Sequence, residues 1–168
     1  MQRRKLLGAT CAAALALGMA TGAMAQTRDK VTLLLNWYVY SEHAPFFIGK
    51  AKGFYEAEGI DLDIQEGRGS AVSIQAVAAN SATFGYVDVP TMIRAATKGA
   101  PVKAVGVALQ VSPMSVMGLA EKNIKTPKDI VGKTVAMTPG DSMSQIWPLF
   151  LKKTGLKEGD YKVVSGDG

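Results

Sequence analysis

Cysteine is almost missing from this chain of 168 residues. Its single example, Cys11, falls in a segment that reads as a discarded leader. An internal disulfide is therefore impossible, and thiol catalysis, Cys-ligated zinc and iron–sulfur clusters drop out for the mature chain. Histidine is equally scarce: His43 stands alone, and one His without partner Cys or His makes a poor metal site. A strong charge of one sign is also lacking. The formal charge is +5, from 19 Lys and Arg against 14 Asp and Glu. Arg3, Arg4 and Lys5 lie in the leader, and removing those three from 19 leaves 16 against 14, a net +2. A chain so close to neutral gives no compositional case for binding nucleic acid. Apolar residues at 48% and charged residues at 20% exclude a disordered or collagen-like chain.

Several motifs are absent too. Without G-x-S-x-G, a Ser-His-Asp hydrolase has little support. Gly67-Arg68-Gly69-Ser70 lacks the third glycine of a dinucleotide fingerprint and the lysine of a phosphate-binding P-loop. No third carboxylate follows Asp61 and Asp63 at calcium-loop spacing. The apolar run Leu6–Ala20 is too short and too rich in Gly and Thr for a membrane span.

What is present begins with that leader. A basic start, an uncharged run rich in Ala and Leu, and Ala23-Met24-Ala25 form a secretory signal over residues 1–25, with cleavage expected after Ala25 and a periplasmic destination. Arg3-Arg4 leaves Sec and twin-arginine export both open. The mature chain alternates strand and helix patterns. Apolar residues 31–36 predict a strand. A helix opens at Pro45 and runs through Phe47, Ala51, Phe54 and Tyr55 to a stop at Gly59. Ile60, Leu62 and Ile64 alternate with Asp61, Asp63 and Gln65, as in a half-buried edge strand. A helix with Ala71, Ile74, Val77 and Ala78 on one face follows, then a short strand over 83–87 and a helix opened by Asp88 and Pro90. Residues 102–111 are nearly all apolar and predict a strand covered on both faces.

Ser112-Pro113 interrupts the series. Beyond it the pattern predicts a strand over 115–120, a helix start at Thr126-Pro127-Lys128-Asp129, a strand over 134–137, a helix from Ser142 containing Pro148 in its first turn or at a bend, and a strand over 161–164. Repeated β-α-β units make this an α/β protein with parallel sheet. The first unit spans 26–111 and the second 112–168. The second is marginal alone, so the chain is expected to be the N-terminal part of a longer protein.

In such sheets ligands sit beyond the carboxyl ends of the strands. That rule selects Asn36, Trp37, Ser70, Asp88 and Ser142 as ligand-binding residues, with His43 beside them. Trp37 is either a stacking platform or a core aromatic. Asn36 either bonds a heterocycle edge or caps its own turn. Ser70 and Ser142 start helices, where free N–H groups suit an anion or a carbonyl, although capping explains Ser142 equally well. Asp88 either accepts from a ligand amine or only caps the next helix. His43 is either a neutral imidazole bonding the ligand or a capping or surface residue. Arg68 either adds charge or is a solvated loop residue.

Leu33-Leu34-Leu35-Asn36-Trp37, His43-Ala44-Pro45-Phe46-Phe47, the block from Ala51 to Leu62, and Lys128 to Val135 resemble the solute-binding proteins of bacterial ABC importers for nitrate, sulfonates and thiamine-pyrimidine precursors, a family that includes the fungal thiamine-pyrimidine synthases. The resemblance implies a two-lobed clamshell of doubly wound sheets, its second lobe incomplete here, closing by a hinge on a small solute. It implies an ABC permease and its ATPase as partners, a peripheral association with the membrane through that permease, and a monomer. The Asn-Trp pair and the nearby His resemble the thiamine-pyrimidine branch, with a sulfonate or nitrate as the other ligand classes. In the synthases a lysine binds pyridoxal phosphate and a histidine soon after donates ring atoms. Laying their G-L-K segment on Gly85-Tyr86-Val87 puts Val87 and Thr91 in those places. The resemblance then implies binding and no cofactor, metal or catalytic residue; synthesis of the pyrimidine, or a ligand-sensing receptor lobe, stands as the alternative.

Overall fold

The computed structural model describes residues 27–166. The leader, including Cys11, lies outside the described residues. Strand β1 (Asp29–Leu34) is the centre of the first sheet, pairing in parallel with β2 (Ile60–Gln65) and with the two-residue β3 (Phe84–Gly85) in the order β2-β1-β3. Between β1 and β2 run a 3₁₀ turn (Ser41–His43) and helices α1 (Ala44–Ala51) and α2 (Phe54–Ala57). Helix α3 (Ser70–Ala78) joins β2 to β3, and α4 (Val89–Thr97) follows β3. The second sheet holds β4 (Thr134–Met137) and β5 (Lys162–Ser165), parallel and joined by α5 (Ser142–Thr154). The architecture is mixed α/β with two parallel sheets.

The alternation in 60–65 does what its period requires. Leu62 is buried while Asp61 and Asp63 are exposed on an edge strand, the wet face the pattern predicts. Leu33, Leu35 and Leu62 form the first core, flanked by Phe46, Tyr55 and Tyr86. Ile130, Trp147, Leu151, Leu156 and Tyr161 form the second. There the Trp147 indole N–H donates to the Tyr161 hydroxyl at 2.6 Å, so neither polar tip is buried unpaired.

Three expectations need correction and a fourth is narrowed. The helix from Pro45 is broken at Gly53, which takes a left-handed conformation (φ 72°) and reorients the chain into α2. Of the two places open to Pro148, the first turn is excluded: it lies inside α5, where it lacks the N–H that would complete the helical ladder. The start at Thr126 yields a single 3₁₀ turn, Pro127–Ile130, held by the Asp129 carboxylate accepting from the Thr126 N–H at 2.7 Å. Finally, 102–111 and 115–120 form no strand. Val105, Val107, Leu109 and Val111 are exposed at 47–82%. An apolar pattern supplies strand propensity, but a strand exists only with a ladder partner, and β3 is too short to recruit one.

Candidate functional site

The loops beyond β1 and β2 are tied to each other. Gly67 and Gly69 donate their N–H groups to the Trp37 and Asn36 carbonyls at 3.2 and 2.8 Å. The Ser73 hydroxyl, one turn into α3, donates to the Leu35 carbonyl at 2.7 Å. These bonds bring the N-terminus of α3 against the end of β1. From the second sheet, the turn Thr138–Asp141 brings the N-terminus of α5 to the same place. Buried Ser70 and Ser142, one from each sheet, hydrogen-bond through their hydroxyls at 2.9 Å.

Around this contact lies a cleft of about 170 Å³. Asn36, Trp37, Ser70 and Ser142 line it together with Tyr40 and Asp141. Four of the six residues selected from the sequence thus meet at one point. Trp37 is half-buried, its ring edge-on to Tyr38 at 5.7 Å. Asp141 immediately precedes Ser142, from which the sequence predicts a helix, and Asp141 rather than Ser142 supplies the cap. Met114 and Met143 also line the cleft, and the sequence carries no sign of them.

The other two residues stand one step back. His43 is fully buried and reaches the cleft through two residues that line it, Asn36 and Tyr40; its Nε2 lies 2.8 Å from Asn36 Oδ1. The Tyr40 N–H points at Nδ1 from 3.5 Å. A neutral ring with its proton on Nε2 satisfies both contacts, and burial holds the imidazole below its ordinary value of 6.5. That tautomer makes Asn36 Oδ1 the acceptor and turns its amide nitrogen the other way. Asp88 caps α4: its carboxylate accepts from the N–H and hydroxyl of Thr91 at 3.2 and 3.1 Å. Its own N–H donates to Ser70 Oγ at 3.0 Å, so Asp88 positions Ser70.

Behind Asn36, the hydroxyls of Tyr40 and Tyr86 both donate to the Glu42 carboxylate, each at 2.7 Å. Burial, then the bond to Glu42, pushes Tyr40 up to about 12 and raises Tyr86 further, so both remain phenols at any physiological pH. Glu42 and Tyr86 face a wider trough of about 1420 Å³ between the first sheet and residues 101–114. Val87 lines that trough, and Thr91 is held by Asp88. An isopropyl side chain has no amine, so Val87 does not fit a pyridoxal phosphate site; Lys103 is the amine lining the trough. Arg68 lies over the Tyr38 ring, 4.0 Å from its centroid, and does not line the cleft.

The buried imidazole makes stability depend on pH. Below pH 6.5 the unfolded chain takes up the proton that folded His43 resists, so stability present above that pH is lost as pH falls. Thermal midpoints measured from pH 7 to pH 5 are expected to drop, and to drop less in His43→Gln, whose amide N–H keeps the bond to Asn36. Equal slopes in both proteins would place the pH response elsewhere.

Comparison with known proteins places this geometry in context. The profile of the NMT1/THI5 like family matches residues 40–168. A Legionella pneumophila protein named 4-amino-5-hydroxymethyl-2-methylpyrimidine phosphate synthase is 32% identical over 142 residues, 84% of this chain and 45% of its own. A Halalkalibacterium halodurans protein named formylaminopyrimidine-binding protein is 30% identical, over 81% of this chain and 40% of its own. A solved structure from Bordetella bronchiseptica RB50 superposes with a TM-score of 0.62 at 30% identity, covering 82% of this chain and 44% of that one. The chain therefore spans less than half the length of these relatives. The Legionella protein, and a Schizosaccharomyces pombe relative of the same name at 27% identity, overturn the expectation of a chain outside enzymology. One fold serves binding and catalysis through changes at a few site residues, so losing one amine does not decide between them. Parallel sheets joined by helices, a cleft at their strand ends and a match over most of the chain agree: this protein belongs to the NMT1/THI5 like family.

Proposed function

We propose that the cleft binds a small planar nitrogen heterocycle, a thiamine-pyrimidine precursor or a close relative. Convergence of Asn36, Trp37 and Ser70 from one sheet with Ser142 from the other carries this reading. Trp37 supplies a flat face, Asn36 a fixed amide, and the volume suits one substituted ring better than the ~300–1,000 Å³ of a drug-sized site. A sulfonate or nitrate fits less well, because Arg68 is spent on Tyr38 and the cleft has no cation. In this reading 26–111 and 112–168 belong to two lobes of a clamshell, the second continuing in the longer protein, and closure traps the ligand. Residues 1–25 export the protein to the periplasm as a monomer, and the loaded form docks on an ABC permease with its ATPase.

Synthesis of such a pyrimidine is the second reading, favoured by the relatives named as synthases. Mass spectrometry separates the two: delivery returns an added pyrimidine unchanged, whereas synthesis releases a pyrimidine phosphate from protein to which no pyrimidine was added.

Calorimetry with the full-length protein and 4-amino-5-hydroxymethyl-2-methylpyrimidine tests the site. Trp37→Ala is expected to weaken binding about tenfold or more, since ~1.4 kcal/mol of lost stacking and burial is a factor of ten. Unchanged affinity with a lowered thermal midpoint would make Trp37 a core residue and sink the reading.

A further inference from the structure

We infer that Glu42 is a positioning residue for the cleft: its carboxylate holds the Tyr40 and Tyr86 rings against His43, and His43 in turn fixes Asn36. The inference rests on the cleft reading above and deepens it, because Glu42 itself does not line the cleft. Each carboxylate oxygen has its own phenol. Oε2 accepts from the Tyr40 hydroxyl and Oε1 from the Tyr86 hydroxyl, both at 2.7 Å. Hydrogen bonds to an ionised acceptor are roughly twice as strong as neutral ones. This pair joins the 3₁₀ turn before α1 to the end of β3, 44 residues away.

The two rings so held are the ones that pack on His43. Tyr40 meets the imidazole with centroids 4.5 Å apart at 69°, and Tyr86 meets it at 5.6 Å and 89°. Phe46 backs Tyr86 at 5.3 Å. The imidazole is fully buried, and its nitrogens face the Tyr40 N–H and Asn36 Oδ1. Such a ring cannot turn without breaking one of these contacts, and the Asn36 amide cannot flip without losing its bond to the ring. Without the carboxylate both hydroxyls lose their acceptor, and each ring then gains by turning its polar tip toward water. That movement displaces Tyr40, which lines the cleft beside Asn36, and unpacks the imidazole that holds Asn36.

The test uses the full-length protein, with 4-amino-5-hydroxymethyl-2-methylpyrimidine as probe. Glu42→Gln keeps the volume and one acceptor oxygen, so one phenol loses its acceptor and the other a charged one. Affinity measured by calorimetry is expected to fall about fivefold. In an Asn36→Ala background the same substitution should change affinity by less than about twofold, because the residue it positions is gone. Nitrogen-15 NMR of the imidazole gives a readout that needs no ligand. The His43 signals, assigned by their loss in His43→Gln, should show the proton held on Nε2 in wild type and a mixture of tautomers in Glu42→Gln. Should Glu42→Gln fail to fold, Tyr86→Phe removes one hydroxyl from a ring outside the cleft and carries the same expectations, with a loss of about threefold. Unchanged affinity, an equal loss in both backgrounds, or wild-type imidazole signals in the variant each overturn the inference. The two readings fail differently: absence of probe binding by wild type removes the cleft reading, and the imidazole signals then decide on Glu42 alone.

Discussion

Gly67→Ala is expected to destabilise the protein by about 3 kcal/mol or more, at the upper end of what overpacking costs. A Cβ at Gly67 would lie 1.7 Å from the Leu35 carbonyl oxygen and 3.0 Å from Ser73 Oγ. Neither neighbour can retreat cheaply. Leu35 is fully buried, its N–H donates to the Gln65 carbonyl at 2.9 Å, and its carbonyl accepts from Ser73. Moving it would pull the end of β1 away from both β2 and α3. Urea unfolding checks the expectation, with Gly106→Ala as control. A Cβ at Gly106 meets nothing within 4 Å, so its midpoint should stay within about 0.5 kcal/mol of wild type. A Gly67→Ala midpoint that matched the control would mean that the two strand-end loops are far softer than their hydrogen bonds imply.

Gly69→Ala is expected to spare more of the fold and to remove binding. Gly69 sits at φ 116° and ψ 145°, a region essentially reserved for glycine, where another residue costs roughly 1–3 kcal/mol. Its Cβ would also stand 2.4 Å from the Gly140 carbonyl oxygen, in the turn that leads to α5. The relief available is to separate the two turns, which lengthens the 2.9 Å contact between Ser70 and Ser142 and pulls Asp141 away from Trp37. Affinity for the aminopyrimidine should fall about a hundredfold, equivalent to ~2.7 kcal/mol. Far-ultraviolet circular dichroism should meanwhile keep the wild-type helix signal. Wild-type affinity in Gly69→Ala would show that approach of the two helix ends is not needed for the site. The two glycines, two residues apart, thus report on different things: Gly67 on the packing of the first sheet, Gly69 on its meeting with the second.

Much of this was legible residue by residue. The alternation from Ile60 to Gln65 makes one edge strand with its aspartates in water. Asp88 caps the helix it precedes, one of the two roles open to it, whereas the cap of α5 is Asp141 and not Ser142. Asn36, Trp37, Ser70 and Ser142 follow from the rule that ligands gather at strand ends, and the fold brings them together. Other partners were not legible, because they depend on chain distance. Glu42 meets Tyr86 across 44 residues, and Ser70 meets Ser142 across 72. Nothing local in Tyr-Ser-Glu-His says that the glutamate joins two tyrosines behind the asparagine. His43 illustrates the same limit: the sequence left open a neutral imidazole bonding the ligand or a capping or surface residue, and the residue is instead fully buried, with that burial lowering its pKa.

The amino-acid sequence by itself determined the short-range features: strand periods, the cap at Asp88, the stop at Gly59, and the family. Each depends on backbone preferences acting over a few residues. Tertiary structure alone decided which of those elements became sheet and which surfaces met. Residues 102–111 are nearly all apolar, yet stay unpaired and exposed because hydrogen-bond ladders need a second strand at the right edge. The cleft has the same origin. Its residues acquire a common chemistry only when two helix ends from different sheets approach closely enough for a hydroxyl pair, an indole and a carboxylate to share one volume.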